Sequence, residues 1–421
     1  MMRVLDTTSL EFKEFPDLPD ESYAILSHRW GAEEVTYKEY RKNRDTVQHR
    51  TGYKKIIEFC HVSRQRGFHY AWVDTCCIDK RSSAELSEAI NSMYRWYKKC
   101  AQCFVFLEDY NPRDPASLGA CEWFSRGWTL QELIAPTYCI FFTATWTVIG
   151  HKHHWNDVHC PCRAVATEPQ QSIQAWGPNL LGDLVAITSV PEWILNGAQG
   201  VLDCGVAQRM SWASRRVTTR VEDRAYSLLG IFDINMPLLY GEGPRAFRRL
   251  QEEIIRTSND ASIFCFGITM TPTLTNLAQP RYHYNEPIPL FANSPAQFAR
   301  CEDVTSGTIA SDEPYTVTHM GLRVMTYSYI SPKLPWRQKE GAIFAIPLAC
   351  CVGSQSPSGT RPSVDESLFL IVQQLPSRDN LHVFRVDLQS SEVEPPRFEA
   401  PHGVDDRAWE SMPPRLFYIR I

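Results

Sequence analysis

The sequence has no long hydrophobic segment of the kind that secreted and membrane-spanning chains carry. Its longest apolar runs, such as residues 138–142, are short, and none approaches the roughly 20 residues that a spanning helix needs. No apolar run follows residues 1–6, so we expect neither a secretory leader nor a membrane segment. Both absences favour a cytoplasmic protein.

The chain also lacks a strong excess of charge of either sign. It carries 43 basic and 48 acidic residues, for a formal net charge of −5. Chains that bind polyanions through bulk charge are usually basic, so we predict no nucleic-acid partner. Hydrophobic residues make up 43% of the 421 positions. That is enough for a folded core and for two to three domains of about 150 residues each.

Two common catalytic motifs are missing. No glycine-rich loop of the form GxxxxGK followed by Ser or Thr occurs, which disfavours a P-loop nucleotidase. No Gly-x-Ser-x-Gly turn occurs either, which disfavours an α/β-hydrolase.

Cysteine is plentiful, but its spacing does not form a metal-binding pattern. The 14 cysteines are expected to be thiols in a reducing compartment. A group between residues 151 and 162 has the composition of a zinc site, yet its Cys-Pro-Cys spacing is tight and no second pair at ligand spacing follows it. We therefore predict no metal bound by this group, which consists of His151, His153, His154, His159, Cys160 and Cys162.

Residues 1–150 alternate between strand-like and helix-like patterns. Short runs rich in aromatic and β-branched residues predict strands at 23–27, 70–74, 103–107 and 138–142. Apolar residues at helical spacing predict helices between or after them, at 53–66, 83–98 and 126–135. This alternation implies right-handed crossovers, and hence an α/β fold with a parallel sheet and flanking helices.

The rest of the chain changes character twice. Residues 151–205 hold scattered His, Pro, Gln and Gly, and we interpret them as an insertion followed by a connector. Residues 206–268 return to a helical pattern. Between 269 and 421 proline is frequent, and short alternating runs predict a C-terminal antiparallel β domain, either a sandwich or a barrel.

Polar segments follow the first three predicted strands. They are residues 27–31, 74–80 and 108–109. Ligands in open parallel sheets bind beyond the carboxyl ends of the strands. We therefore expect these segments to line a cleft.

Glu132 is the sharpest candidate for chemistry, and its spacing allows two interpretations. A carboxylate about one helical turn from Trp128 could bind sugar hydroxyls and stabilise a developing oxocarbenium ion. Alternatively, Glu132 could complete a capping box with Thr129, while Trp128 and Leu133 form a hydrophobic staple. The spacing alone leaves both interpretations open.

Seven segments between residues 20 and 265 carry specific motifs. They are 23–31 (YAILSHRWG), 72–80 (WVDTCCIDK), 83–94 (SAELSEAINSMY), 126–133 (RGWTLQEL), 211–214 (SWAS), 218–230 (TTRVEDRAYSLLG) and 236–243 (MPLLYGEG). Together they resemble the fungal heterokaryon incompatibility (HET) domain. The β-rich remainder resembles the tail often found in such proteins, whereas 151–175 departs from the family pattern.

The resemblance implies a role in non-self recognition and regulated cell death when incompatible fungi fuse. HET domains also resemble TIR domains, which have a flavodoxin-like sheet and in many plant forms cleave NAD with the Glu of a Trp-Cys-x-x-Glu motif. Here Trp128 and Glu132 have the same spacing, with Thr129 in place of Cys. Residues 27–29 likewise resemble the TIR segment after the first strand, with His28 in place of Phe.

The resemblance thus implies an enzyme with NAD as its substrate and no permanently bound cofactor. Glu132 would orient the ribose and stabilise the cationic transition state. Arg29 would contact phosphate, and Trp128 would wall the site. The remaining residues expected to contact the nucleotide are Ser27, His28, Trp30 and Asp74.

The alternative is a signalling module without catalysis, since many TIR domains act only in assembly. The chain would then self-associate or recruit other HET or TIR-like death-signalling proteins. Exposed parts of 83–98 and 126–135 would form the interfaces.

Overall fold

Strands and helices alternate over the first half of the chain in the computed structural model. The structure describes residues 1–154, 176–267, 289–306, 315–319, 321–330, 343–352, 366–374, 382–391 and 410–419. The elements up to residue 195 are β1 (Met2–Asp6), β2 (Phe12–Phe15), β3 (Tyr23–His28), α1 (Tyr37–Lys42), α2 (Arg44–Val47), α3 (Thr51–Gln65), β4 (Tyr70–Trp72), α4 (Asp74–Cys77), α5 (Ser83–Lys99), β5 (Gln102–Leu107), α6 (Thr129–Ile134), β6 (Cys139–Thr143), β7 (Val148–Lys152), α7 (Leu181–Thr188) and α8 (Glu192–Leu195).

Helices and then strands follow in the second half. They are α9 (Val206–Ala213), α10 (Asp223–Tyr226), α11 (Leu229–Phe232), α12 (Arg245–Thr257), β8 (Val304–Ser306), β9 (Thr316–Thr318), β10 (Gly321–Ile330), β11 (Ile343–Val352), β12 (Glu366–Gln374), β13 (His382–Ser391) and β14 (Glu410–Ile419). Within the described ranges, no helix is both long and apolar enough to span a membrane.

The chain divides into two compact units. The first comprises Met1–Val201 and Arg216–Gly241, and the second comprises Leu202–Arg215 and Glu242–Ile421. These bounds differ from the predicted boundaries at 150, 205 and 268. Helices α10 and α11 belong to the first unit although α9, which precedes them in the chain, belongs to the second.

A seven-stranded sheet in the order β2-β1-β4-β3-β5-β6-β7 forms the centre of the first unit. Strands β4, β3, β5 and β6 are parallel to one another, which confirms the predicted α/β arrangement. The sheet is not wholly parallel, however, because β1, β2 and β7 run antiparallel to their neighbours. The β1–β2 and β6–β7 connections are short turns, and such turns join only antiparallel strands.

Helices cover both faces of the parallel strands. Phe59 of α3 packs edge-on against Phe104 of β5, with ring centroids 5.4 Å apart. The preceding residue on that strand, Cys103, points the other way, and its Sγ lies 3.9 Å from the carbonyl oxygen of Glu132 in α6. Successive strand residues face opposite sides of a sheet, so both faces of β5 are buried. This explains why each predicted strand is an almost continuous apolar run.

The helix predicted at 53–66 is present as α3, and one of its faces is buried. The buried positions include Ile56, Phe59, Cys60 and Ser63. Helix α5, predicted at 83–98, begins after a capping residue, since the side chain of Ser82 accepts a hydrogen bond from the backbone N–H of Glu85. Such a cap stabilises a helix by about 1 kcal/mol.

A second seven-stranded sheet, in the order β8-β11-β12-β13-β14-β10-β9, belongs to the second unit. Strand β10 also pairs with β11, so strands β10 to β14 form a closed ring. This is a barrel-like arrangement. The described pairings are antiparallel, as predicted, except that β13 and β14 are parallel. The long connection between those two strands, residues 392–409, permits a parallel return.

Candidate functional site

The site lies where the order of the parallel strands reverses. Numbered along the chain, the parallel strands β3, β4, β5 and β6 lie in the order 2-1-3-4, as in the first part of the flavodoxin-type order. The connections that leave β3 and β5 therefore diverge, and this opens a crevice beyond their carboxyl ends. A cavity of about 470 Å³ occupies this place, and it is lined by Arg29, Gly31, Ala32, Glu33, Thr51, Phe106, Glu108, Asp109 and Trp123.

Backbone contacts hold two of the acidic side chains that line the cavity. Glu33 accepts a hydrogen bond of 3.0 Å from the backbone N–H of Thr51, at the start of α3. Asp109 accepts one of 2.8 Å from the backbone N–H of Glu122. Arg29 forms an ion pair with the carboxylate of Glu122 at the rim.

A buried chain of hydrogen bonds lies directly behind the cavity wall. Trp123, which lines the cavity, donates from Nε1 to the hydroxyl of Ser27 over 2.9 Å. Ser27 in turn donates to Oε2 of Glu132 over 2.5 Å. Glu132 is only 8% exposed and is not among the residues that line the cavity. The side chains of Ser27 and Trp123 thus link its carboxyl group to the cavity wall.

Burial decides the protonation of Glu132. Loss of water contact raises the pKa of this carboxyl to about 8, against the lowering effects of hydrogen bonds from Ser27 and Tyr97 and of the charge on Arg216. The carboxyl is therefore largely protonated near neutral pH. A carboxyl with such a strongly raised pKa beside a cleft is typical of functional sites.

Helix α6 places Glu132 without the predicted capping box. Trp128 is the N-cap residue and makes no side-chain cap hydrogen bond. The hydroxyl of Thr129 donates instead to the carbonyl oxygens of Trp123 and Arg126, at 2.6 and 2.9 Å. Arg216 donates to the same hydroxyl over 3.0 Å. The capping interpretation of Glu132 is wrong, because its side chain turns toward Ser27 rather than back to the helix start.

Asp74 connects the ends of two strands. It accepts hydrogen bonds from Nε2 of His28 at 3.0 Å and from Nε1 of Trp30 at 2.8 Å. Lys80 lies 4.0 Å from the same carboxylate and 3.3 Å from the ring centroid of Trp30. Burial acts to raise the pKa of Asp74, but Lys80, His28 and Trp30 together hold it down at about 2.

Glu34 stabilises the loop after β3 through hydrogen bonds. Its Oε1 accepts hydrogen bonds from Lys55 at 2.5 Å and from the backbone N–H of Gly31 at 2.9 Å. Nδ1 of His28 lies 3.6 Å from the same oxygen. His28 is thus held between two carboxylates, those of Glu34 and Asp74, and it fixes the loop that forms one wall of the cavity.

The structure brings most of the predicted site residues together. Ser27 contacts Glu132, and both His28 and Trp30 contact Asp74, while Arg29 lines the cavity.

The predicted wall residue Trp128 lies elsewhere. It hydrogen-bonds the side chain of Asp223 and is not part of the cavity lining. Trp123 takes the place that the sequence suggested for Trp128. The residues before Trp123 show neither the strand nor the helix spacing of apolar residues, so no such pattern predicted that Trp123 is buried. The adjacent aromatic residue, Phe124, was the only local sign of burial.

The part of the chain that the structure describes contains no group of three His, Cys, Asp or Glu side chains suited to a metal ion. His159, Cys160 and Cys162, of the His and Cys group between residues 151 and 162, lie outside the described residues. His151 hydrogen-bonds the carbonyl oxygen of Gly177 over 3.1 Å.

These features define an α/β protein with a ligand-sized cavity at the switch point of its sheet. The family model of the heterokaryon incompatibility protein (HET) matches residues 23–118, which contain β3 to β5 and much of the cavity. Residues 23–118 thus match the HET domain family. A second family model, a domain of unknown function (DUF8212), matches residues 245–329.

One curated relative extends the match beyond the HET model. The chain is 42% identical over 270 residues to the vegetative incompatibility protein HET-E-1 of Podospora anserina. The match covers 60% of this chain but only 18% of the relative's length. No solved structure matches the chain significantly.

Proposed function

We propose that this chain acts in vegetative incompatibility, the process for which its relative from Podospora anserina is named. The HET family match and the 42% identity over 270 residues support this role. In this proposal the chain contributes to non-self recognition in the cytoplasm and to the cell death that follows fusion of incompatible partners.

We further propose that the first unit, as a TIR-like domain, cleaves NAD in the cavity. One observation carries this proposal: Glu132, with its raised pKa, is joined through Ser27 to Trp123, which lines a cavity at the switch point. In flavodoxin-type sheets this is where a nucleotide cofactor binds.

The reaction is hydrolysis of the bond between N1 of nicotinamide and C1′ of ribose. The bonding electron pair leaves with nicotinamide, water adds to C1′, and one proton is released. The ionised carboxylate of Glu132 stabilises the positive charge that develops on the ribose. The positive charge of NAD⁺ favours that ionised form, because a nearby cation lowers the pKa of a carboxyl.

The arrangement requires an activating movement. Ser27 and Trp123 separate Glu132 from the cavity, so the Trp123 side chain has to move aside before the carboxylate reaches a ribose. We therefore expect activity only when the protein is clustered or engaged by a partner, which would protect its host from uncontrolled loss of NAD.

The test follows NAD by chromatography with the full chain, both dispersed and clustered on beads. We expect NAD loss in the clustered sample, rising with pH as Glu132 ionises. The isosteric Glu132→Gln change should lower kcat/KM by about 100-fold or more, whereas Glu58→Gln on the exposed side of α3 should have no effect. Constant NAD in every state would refute cleavage, and equal loss in both variants would remove Glu132 from the reaction.

The second candidate function is assembly without catalysis. The enclosure of Glu132, which is 8% exposed and bonded to Ser27, favours it, since a structural carboxyl needs no access to substrate. The chain would then act through self-association or through other HET or TIR-like proteins. Clustering that triggers cell death while NAD stays constant would support this candidate.

A further inference from the structure

The cavity combines aromatic walls with an excess of negative charge. Phe106, which is 8% exposed, and Trp123, which is 1% exposed, are among its lining residues. Its other lining residues include three carboxylates, those of Glu33, Glu108 and Asp109, against one guanidinium, that of Arg29.

Arg29, the one cation among the described lining residues, is already neutralised. Arg29 forms its ion pair with Glu122, which adds a fourth carboxylate at the rim. Lys55 lies 5.9 Å from the ring centroid of Phe106, but its ammonium group is bonded to Glu34 at 2.5 Å. An anion entering the cavity would therefore meet mainly carboxylates.

Two of the carboxylates cannot turn away easily. Glu33 and Asp109 are tied to the backbone N–H groups of Thr51 and Glu122, at 3.0 and 2.8 Å. Glu108 is exposed and makes no contact of this kind among the described residues. The loops after β3 and β5 thus hold two of the negative charges in fixed positions. The carboxylate of Glu108 is the one that can change its position.

We propose that this cavity binds a planar aromatic cation of the N-alkylpyridinium class. Aromatic faces attract cations through the ring quadrupole, and carboxylates add direct charge attraction. Resting on the proposed function, the cation is the nicotinamide ring of NAD⁺. The same carboxylates repel the pyrophosphate, which therefore points outward.

The proposal predicts a ranking of three probes that share one ring size and differ in charge. They are 1-methylnicotinamide, a cation; nicotinamide, which is neutral; and nicotinate, an anion. Binding to the full chain is measured by saturation-transfer NMR and calorimetry. We expect the cation to bind about threefold or more tighter than the neutral ring, and the anion to bind most weakly.

A charge-neutral variant identifies the source of the preference. Glu108→Gln should weaken binding of 1-methylnicotinamide about two- to fivefold and leave nicotinamide unchanged. Glu58→Gln, a matched change outside the cavity, should alter neither. Circular dichroism of each variant establishes that it is folded. Equal binding of cation and neutral ring, tighter binding of nicotinate, or no binding of any probe would overturn the proposal.

The probes separate this inference from the proposed activity. 1-Methylnicotinamide has no glycosidic bond, so its binding does not depend on turnover. Cation preference without NAD loss would support the aromatic-cation site and refute cleavage. NAD loss without cation preference would support cleavage and refute this mode of recognition.

Discussion

The hydroxyl of Ser27 donates a hydrogen bond of 2.5 Å to the carboxyl of Glu132, although the two residues are 105 positions apart in the chain. The contact joins the carboxyl end of β3 to helix α6. Trp123 completes it by donating to the same hydroxyl from the cavity wall. A polar group with a strongly shifted pKa is thereby buried beside the cavity, and several consequences can be measured.

The stability of the protein should depend on pH through Glu132. Its pKa rises from the usual 4.5 to about 8 on folding, so the folded state holds a proton that the unfolded state releases between those values. The free energy of unfolding should therefore fall as pH rises through that window, by up to about 1.4 kcal/mol per pH unit. Glu132→Gln removes the titration, so its urea-unfolding stability should fall less steeply. Parallel pH profiles for the two proteins would contradict the assignment.

Ser27→Ala should destabilise the first unit. The change leaves both the carboxyl of Glu132 and Nε1 of Trp123 without their shared partner in a buried place, which costs about 1–3 kcal/mol. Ser125→Ala serves as the control, because the hydroxyl of Ser125 makes an exposed hydrogen bond to the carbonyl oxygen of Glu122. Urea unfolding followed by tryptophan fluorescence measures both. Equal effects would show that the buried network contributes nothing.

Asp74→Asn should loosen the loop after β3. The variant loses the negative charge that His28, Trp30 and Lys80 approach, and we expect a loss of about 1–3 kcal/mol. The pKa of Asp74 is depressed from 3.8 to about 2, so its contribution is fully present above 3.8 and is lost as pH falls through about 2. The difference from the wild type should accordingly shrink in acid. An Asp20→Asn control, at an exposed position, should show neither effect.

Gly230→Ala and Gly182→Ala should change stability in opposite directions. A Cβ at Gly230 in α11 would overlap the side chain of Tyr94 in α5, whereas a Cβ at Gly182 in α7 has open space around it. We expect a loss of about 1–3 kcal/mol from the first through overpacking. The second should gain about 0.5–1 kcal/mol from helix propensity. Thermal unfolding of both variants tests this, and a tolerated Gly230→Ala would show that the two helices can separate.

Much of the first unit could be predicted because its signals are local. The strands at β3, β4, β5 and β6 are apolar runs, and their parallel pairing follows from the helices between them. The grouping of polar segments 27–31 and 74–80 follows as well, since parallel strands end at one edge. The contacts of His28 and Trp30 with Asp74 confirm that these segments meet.

The antiparallel edge strands were harder to predict. Strands β1 and β2 are short, and their hairpin depends on a turn in which Asp6 accepts hydrogen bonds from the backbone N–H groups of Thr8 and Ser9. Alternation of strands and helices carries no information about such a turn. The parallel pairing of β13 with β14 was missed for a related reason, because strand patterns alone do not specify direction.

The sequence by itself determined which segments of the first sheet form strands and helices, because the spacing of apolar residues is a local property of the chain. It also determined the edge of the sheet at which a cleft forms, because the ends of the strands can be located in the sequence. Only the tertiary structure decided what Glu132 contacts. Its spacing from Thr129 suited a helix cap and its spacing from Trp128 suited an active site. The fold instead directed the carboxyl to Ser27 and placed Trp123 at the cavity. Hydrogen bonds between residues so distant in sequence depend on how layers pack, and no local spacing encodes that.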